Sequence, residues 1–169
     1  SGRLDTAEKV MKLFLEKNME KAEEIALELK GLNEQRKRLT EEGVLEGLEQ
    51  ARRWMDRGDK VLVIYLPDCH ESVAGIIAGR IKDRLHHPVF VLTDSEDGLK
   101  GSGRSIESYS MFEEMMKVKD VFTKFGGHPM AAGCSLEPDR LEEFRDRLNQ
   151  NCRLEEKDFI EKIHIDIDM

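Results

Sequence analysis

Val61-Leu62-Val63-Ile64-Tyr65-Leu66 is a short, unbroken apolar run of largely β-branched residues, the pattern of a strand covered on both faces. Pro67-Asp68 ends it. A helix is expected next, from about Ser72 to Leu85, with Val73, Ile76, Ile77 and Ile81 facing inward, and then a second buried strand, Pro88-Val89-Phe90-Val91-Leu92. Strand, helix and strand make a βαβ unit, which places the chain in the α/β class. Further on, Asp94 to Gly98 reads as a polar turn, Leu99 to Ile106 as a third strand and Met111 to Lys124 as a helix. Ala132 to Leu136 reads as a fourth strand and Asp139 to Gln150 as a closing helix. The expectation is an α/β domain over residues 58–150, a small mixed β-sheet with flanking helices.

Upstream, Ala7, Val10, Met11 and Phe14 recur at helical spacing from Thr6 to about Lys17, with Asp5 or Thr6 available as an N-cap. Asn18 restarts a helix. From Met19 to Arg57 the chain is dense in Glu, Lys, Arg and Leu, with Ile25, Leu32 and Leu39 spaced by sevens and Ala22 and Leu29 beside them. This predicts one long, largely exposed linking helix over residues 19–57, whose charges form a solvated face with i,i+4 pairs. Gly31, Gly43 and Gly47 weaken helix propensity and predict a kink or break. Gly58-Asp59 ends the helix.

The chain opens on Ser1 rather than Met and is expected to be a piece of a longer protein. Residues 1–18 would then finish a preceding domain, and residues 151–169 would enter a following one. In that last segment Ile163-His164-Ile165-Asp166-Ile167-Asp168 alternates as a half-exposed strand does, so His164, Asp166 and Asp168 read as a strand face and not as a metal site.

No stretch of the 169 residues approaches the apolar run of a membrane span, and no signal or transit peptide pattern is visible. Cys69, Cys134 and Cys152 are an odd number without a C-x-x-C pair, which argues against a disulfide framework or zinc ribbon and fits a reducing cytoplasm. The formal net charge of −8 runs against a strong non-specific grip on nucleic acid, because no segment is basic overall. A local patch around Arg80, Lys100 and Arg104 remains compatible with it.

Two segments carry chemistry. Phe125-Gly126-Gly127-His128-Pro129-Met130-Ala131-Ala132-Gly133 reads as a tight glycine turn that delivers His128 into a run of small residues open to a ligand. Gly101-Ser102-Gly103-Arg104-Ser105 sets a guanidinium fork and two hydroxyls among glycines, the chemistry that wraps a phosphate. The plain alternatives are a histidine satisfied within its turn and an arginine bridging to a surface acid. His70 and Glu71 sit where a strand gives way to a helix, a position that favours an anion; Glu71 would oppose that anion and instead cap the helix or orient His70 or Arg80. Arg80, further along the same helix, is either a solvated arginine or a nucleic-acid contact. The adjacent His86 and His87 point to opposite faces in an extended segment and do not chelate together. Trp54 reads as the anchor of the long helix on the α/β domain, and Tyr109 as a stacking candidate.

Together these segments resemble the DHH phosphoesterases. Phe125 to Gly133 is similar to the GGHxxAAG signature of their associated C-terminal domain, and Gly101 to Ser105 matches the GSGRS of the RecJ branch. His70-Glu71-Ser72-Val73-Ala74-Gly75-Ile76-Ile77-Ala78-Gly79-Arg80 resembles that branch's HExVxGIVASR helix start, and Gly2-Arg3-Leu4 with Ala7 resembles its GRL element. The nanoRNase branch usually has one more glycine before the histidine, which this chain lacks.

The resemblance implies the substrate-binding part of a single-strand-specific exonuclease of DNA repair and recombination. Ser102, Gly103, Arg104, Ser105, Gly126, Gly127 and His128 would hold phosphates of the strand, supported by His70, Glu71 and Arg80. The Asp-His-His motif that names the family occurs nowhere in the chain. The metal site, holding manganese or magnesium and cutting single-stranded DNA from its 5′ end, is therefore expected in a catalytic domain preceding Gly2. This chain alone is expected to be inactive and to carry no metal or other cofactor. Two alternatives stay open at this point: a related phosphoesterase for short RNA or a small phosphorylated molecule, and a non-catalytic module whose charged helix binds a protein.

Overall fold

The apolar run at 61–66 forms β1 (Leu62–Tyr65), which lies parallel to β2 (Val89–Ser95) with Leu62 opposite Val89 and Tyr65 opposite Leu92. The computed structural model describes residues 2–160, with side chains from residue 7. The alternating segment with His164, Asp166 and Asp168 lies outside the described residues. Helix α1 (Gly2–Leu15) precedes α2 (Met19–Arg57), and α3 (Glu71–Leu85) crosses between β1 and β2. Then follow β3 (Gly98–Arg104), α4 (Met111–Lys117), β4 (Lys124–His128), β5 (Ala131–Leu136) and α5 (Leu141–Asn151). The five strands form one mixed sheet in the order β1-β2-β3-β5-β4, every pair but the first antiparallel.

Alternation along the strands divides the core into two layers. Phe90, Leu92, Leu99, Cys134 and Leu136 face α4 and α5 and pack on Met111, Met115, Phe144 and Leu148. Leu62, Ile64, Val89 and Val91 face the other way, onto Ile77 and Ile81 of α3 and Val44 and Leu48 of α2. The second half of α2 is thus an outer layer of the domain as well as a link. Trp54 anchors it as expected, with the buried Arg145 guanidinium carbon 3.9 Å from its ring centroid.

Several boundaries differ from the sequence reading. Asp5 and Thr6 lie inside α1, because no Gly or Pro interrupts residues 3–17. Asn18 does cap α2, accepting from the Lys21 amide at 3.3 Å. Helix α2 runs unbroken through its glycines for 39 residues. Gly43 and Gly47 serve close packing: an added Cβ at either would come within 2.5 Å of the Ile77 or Ile81 Cδ1 atom. In α3 the inward positions are Val73, Ala74, Ile77, Ala78 and Ile81, while Ile76 is 41% exposed.

The largest correction concerns residues 111–133. The helix from Met111 stops at Lys117, a 3-10 turn follows at Lys119–Val121, and Lys124 to His128 is the edge strand β4. Residues 125–133 are consequently a β-hairpin with Pro129-Met130 at its tip, and not a glycine turn. Long-range contacts decide this. Phe122 packs edge-on against Phe144 and beside Phe125, and the tip carbonyls of Pro129 and Met130 accept from the amides of Met111 and Ser105.

The opposite edge is sealed by side chains. Gln50 of α2 both donates to and accepts from the Tyr65 backbone, Arg145 of α5 donates to the Val63 carbonyl, and Asn149 bonds the Lys60 and Val61 amides and the Val61 carbonyl. These bonds satisfy the edge backbone that a further strand would otherwise pair with.

Candidate nucleic-acid interface

Helix α3 lies over β2 and β3 and α2 over β1, and the same face of β5 and β4 is left open. The step between helix and bare sheet is a cleft of about 740 Å³. The alternation of Gly98-Leu99-Lys100-Gly101-Ser102-Gly103-Arg104 aims Lys100, Ser102 and Arg104 into it. Gly101 and Gly103 sit at the opposite phase. A Cβ on Gly103 would fall 2.4 Å from Met111 Sδ and 2.8 Å from Phe90 Cε1, so this glycine makes room for the core. It faces away from the cleft.

Arg104 lies over α3 at Gly75, where its Nη1 donates to the Gly103 carbonyl at 2.7 Å. No carboxylate pairs with it among the described residues, so the guanidinium keeps donors for a ligand. Ser102 lines the cleft beside it. Ser105 does not: it is buried, and its hydroxyl donates to the Tyr109 carbonyl at 2.6 Å. Tyr109 is itself a core residue and is not available for stacking.

The α3 N-terminus borders the cleft. His70 caps it, its Nδ1 accepting from the Ser72 amide at 3.1 Å, so part of the helix-end donor set is already used. Glu71 does not cap. Its carboxylate pairs with Lys100 at 2.7 Å, an interaction that holds Glu71 below the usual carboxylate range and raises Lys100. Arg80 is exposed one turn beyond Ile76 and lies outside the cleft lining. On β4, Gly126 forms part of the floor, whereas Gly127 and His128 continue along the exposed edge past the lining. Arg104, Ala131 and His128 are nevertheless consecutive partners across β3, β5 and β4.

Lys124 and Ser135 line the cleft and escape the sequence reading. That reading places Lys124 at a helix end. Its signal is the Lys-Phe-Gly alternation entering the glycine pair, which becomes visible once that segment is taken as a strand. His87 is buried, stacked on Phe159 at 4.0 Å, and is no ligand pair with His86. Among the described residues no cluster of three or more His, Cys, Asp or Glu side chains is placed to hold a metal ion. No helix there is long and apolar enough to cross a membrane. The cleft offers guanidinium, ammonium, hydroxyl and backbone donors on a glycine-rich floor, a donor set for phosphate oxygens.

Residues 58–154, the sheet with α3 to α5, match the model of the DHHA1 domain. The chain belongs to the DHHA1 family. It is 33% identical over 170 residues to the single-stranded-DNA-specific exonuclease RecJ of Bacillus subtilis (strain 168), covering 98% of this chain and 22% of that protein. Against the protein of the same description from Escherichia coli (strain K12), identity is 39% over 158 residues, 89% of this chain and 27% of that one. The chain thus spans about a quarter of the length of these curated relatives. The fold also matches solved structures: RecJ from Thermus thermophilus in complex with Mg2+, at a TM-score of 0.75 and 32% identity over 88% of this chain and 23% of that one, and an exonuclease RecJ bound to manganese, at 0.76 and 31% over 85% and 35%. The α/β domain with its small mixed sheet and preceding long helix is therefore the architecture that the sequence resemblance implied.

Proposed function

We propose that this DHHA1 chain is the strand-holding part of a RecJ-like exonuclease that degrades single-stranded DNA from the 5′ end, in the cytoplasm. The observation that carries this reading is local charge inversion. In a chain of net charge −8, one cleft collects Lys100, Arg104 and Lys124, and Arg104 has no acidic partner among the described residues. Arg104 and Ser102 would grip phosphate oxygens, His128 would donate from the edge strand beyond Ala131, and Gly126 would let the backbone of the strand approach the sheet closely. His70 and Arg80 would assist from α3, and the Glu71 carboxylate would be held away from the phosphates by Lys100.

The Mn2+ or Mg2+ expected of such an enzyme does not fit this cleft, whose lining offers cations and small residues in place of a carboxylate cluster. The hydrolytic site belongs to a separate catalytic domain, with residues 1–18 at its end, α2 as the link, residues 58–150 as the binding domain and residues 151–169 leading into another. This chain positions the strand and does not cut it.

Fluorescence anisotropy of a 5′-phosphorylated oligodeoxynucleotide at low salt tests the reading, with an oligoribonucleotide of matched length beside it. Arg104→Ala is expected to weaken DNA binding about tenfold or more, the usual worth of a charge-assisted phosphate contact. Unchanged binding by that variant would defeat the assignment, and preference for the oligoribonucleotide would shift it to short RNA.

A further inference from the structure

The strand register organises the open sheet face into rows that run across β3, β5 and β4. Arg104, Ala131 and His128 form one row, Ser102, Gly133 and Gly126 the next on the same face, and Lys100, Ser135 and Lys124 the third. The outer rows repeat one design. Each sets a cation on β3 and a nitrogen-bearing side chain on β4, either side of a small residue on β5. The middle row has almost no side chain: Gly126 has open space where a Cβ would be, and a Cβ on Gly133 would touch only the Gly101 carbonyl at 3.8 Å.

Four residue steps along β3 separate Lys100 from Arg104, which places the outer rows about 13 Å apart at the usual rise per residue. That exceeds the reach of one sugar–phosphate link and falls within the reach of two. Resting on the functional reading above, we infer that the cleft registers alternate phosphates of the strand. Arg104 with His128 holds one phosphate, Lys100 with Lys124 holds the phosphate two positions along, and the one between them lies over Ser102 and the glycine saddle. The strand then runs along β3 and β5, and its minimal footprint is three consecutive phosphates.

Lys124 is the decisive residue. It is exposed, no carboxylate pairs with it among the described residues, and it lies outside the motif segments. Lys100, by contrast, arrives already paired with Glu71. A Lys124→Ala change therefore removes one phosphate contact without exposing core or orphaning an acid.

The test is a titration of this chain with 5′-phosphorylated oligothymidylates of one to four nucleotides, followed by two-dimensional NMR so that millimolar affinities register. The native chain should gain affinity sharply between the dinucleotide, with two phosphates, and the trinucleotide, with three. Lys124→Ala should abolish that step, weakening the trinucleotide about fivefold or more while leaving the dinucleotide within twofold, and Lys124→Arg should restore it. Arg104→Ala should weaken every length. If Lys124→Ala changes nothing, or weakens dinucleotide and trinucleotide alike, the register is wrong, while a loss on Arg104→Ala would still keep the cleft as a DNA site. If Arg104→Ala is silent at every length, or the native chain binds none of them, the nucleic-acid reading of the cleft falls and the register with it.

Discussion

A Cβ built on Gly75 would lie 2.7 Å from Nη2 of Arg104, so helix α3 is notched at the point where the guanidinium crosses it. The notch separates function from stability. The nearest atoms to an added methyl belong to the flexible end of one side chain and not to backbone or core. Gly75→Ala is therefore expected to leave urea-unfolding stability unchanged or to raise it by up to about 1 kcal/mol through helix propensity. It should also displace the guanidinium and weaken oligonucleotide binding several-fold by anisotropy. Undiminished binding would show that the position of Arg104 on α3 is immaterial.

Glu71 reduces the positive charge of the cleft. Lys100 keeps its carboxyl below the usual range, so Glu71 stays ionised across neutral pH and both neutralises a cation and repels a phosphate. Glu71→Gln is expected to tighten binding of single-stranded DNA by about two- to fivefold, an effect that fades with added salt. Weaker binding would mean that Glu71 orients Lys100 productively.

The glycines of α2 should divide by position. At Gly31 nothing lies within 4 Å of an added Cβ, so Gly31→Ala should stabilise by about 0.5–1 kcal/mol. At Gly43 and Gly47 the methyl meets Ile77 or Ile81, and either substitution should destabilise by about 1–3 kcal/mol through overpacking. Thermal unfolding of the three variants distinguishes packing from propensity.

Arg145 is 2% exposed, with its guanidinium shared among the Val63 carbonyl, Glu142 and the Trp54 ring. Its removal leaves an edge-strand carbonyl and a tryptophan face without their partner. Arg145→Ala should cost about 3 kcal/mol from the unmet carbonyl and the lost cation–π contact, as measured by denaturant titration. A loss below about 1 kcal/mol would show that water replaces the guanidinium at this edge.

His87 gives stability a dependence on pH. Burial is the main force lowering its pKa, opposed by the hydrogen bond to the Leu85 carbonyl and reinforced by the charge of His86. Between the depressed folded pKa and the unfolded value of about 6.5, the unfolded chain binds more protons, so this contribution is complete above the unfolded pKa and declines as pH falls through that window. Melting temperature should drop on moving from pH 7.5 towards pH 5. His87→Phe should flatten that part of the curve, and an unchanged slope would assign it to other groups.

The βαβ unit, the long helix and the closing helix were legible because each follows a local period: the apolar run at 61–66, the helical spacing at 73–81, and the Asn18 and Gly58 boundaries of α2. The segment from Val118 to His128 was not. Its glycines and scattered apolar residues suit a turn as well as a strand, and the pairing of Gly126 with Gly133 and the packing of Phe122 on Phe144 lie far apart in sequence. Local pattern identified Arg104, Ser102 and His128 as chemically distinctive. It assigned Ser105 and Gly103 to the same task, although one hydroxyl serves Tyr109 and the other residue clears Met111 and Phe90.

By itself, then, the order of residues determined the class of the fold, its βαβ unit, the ends of the long helix α2 and the motifs that carry the family resemblance, since these depend on periodicity and short-range chemistry. Which residues share a face was decided only by tertiary structure. Lys100 and Lys124 fall in one row across Ser135, and Arg104 and His128 in another across Ala131, because the strand register aligns them. That register comes from hydrogen bonds between strands and from the burial of their opposite face, and no local period in the chain specifies it.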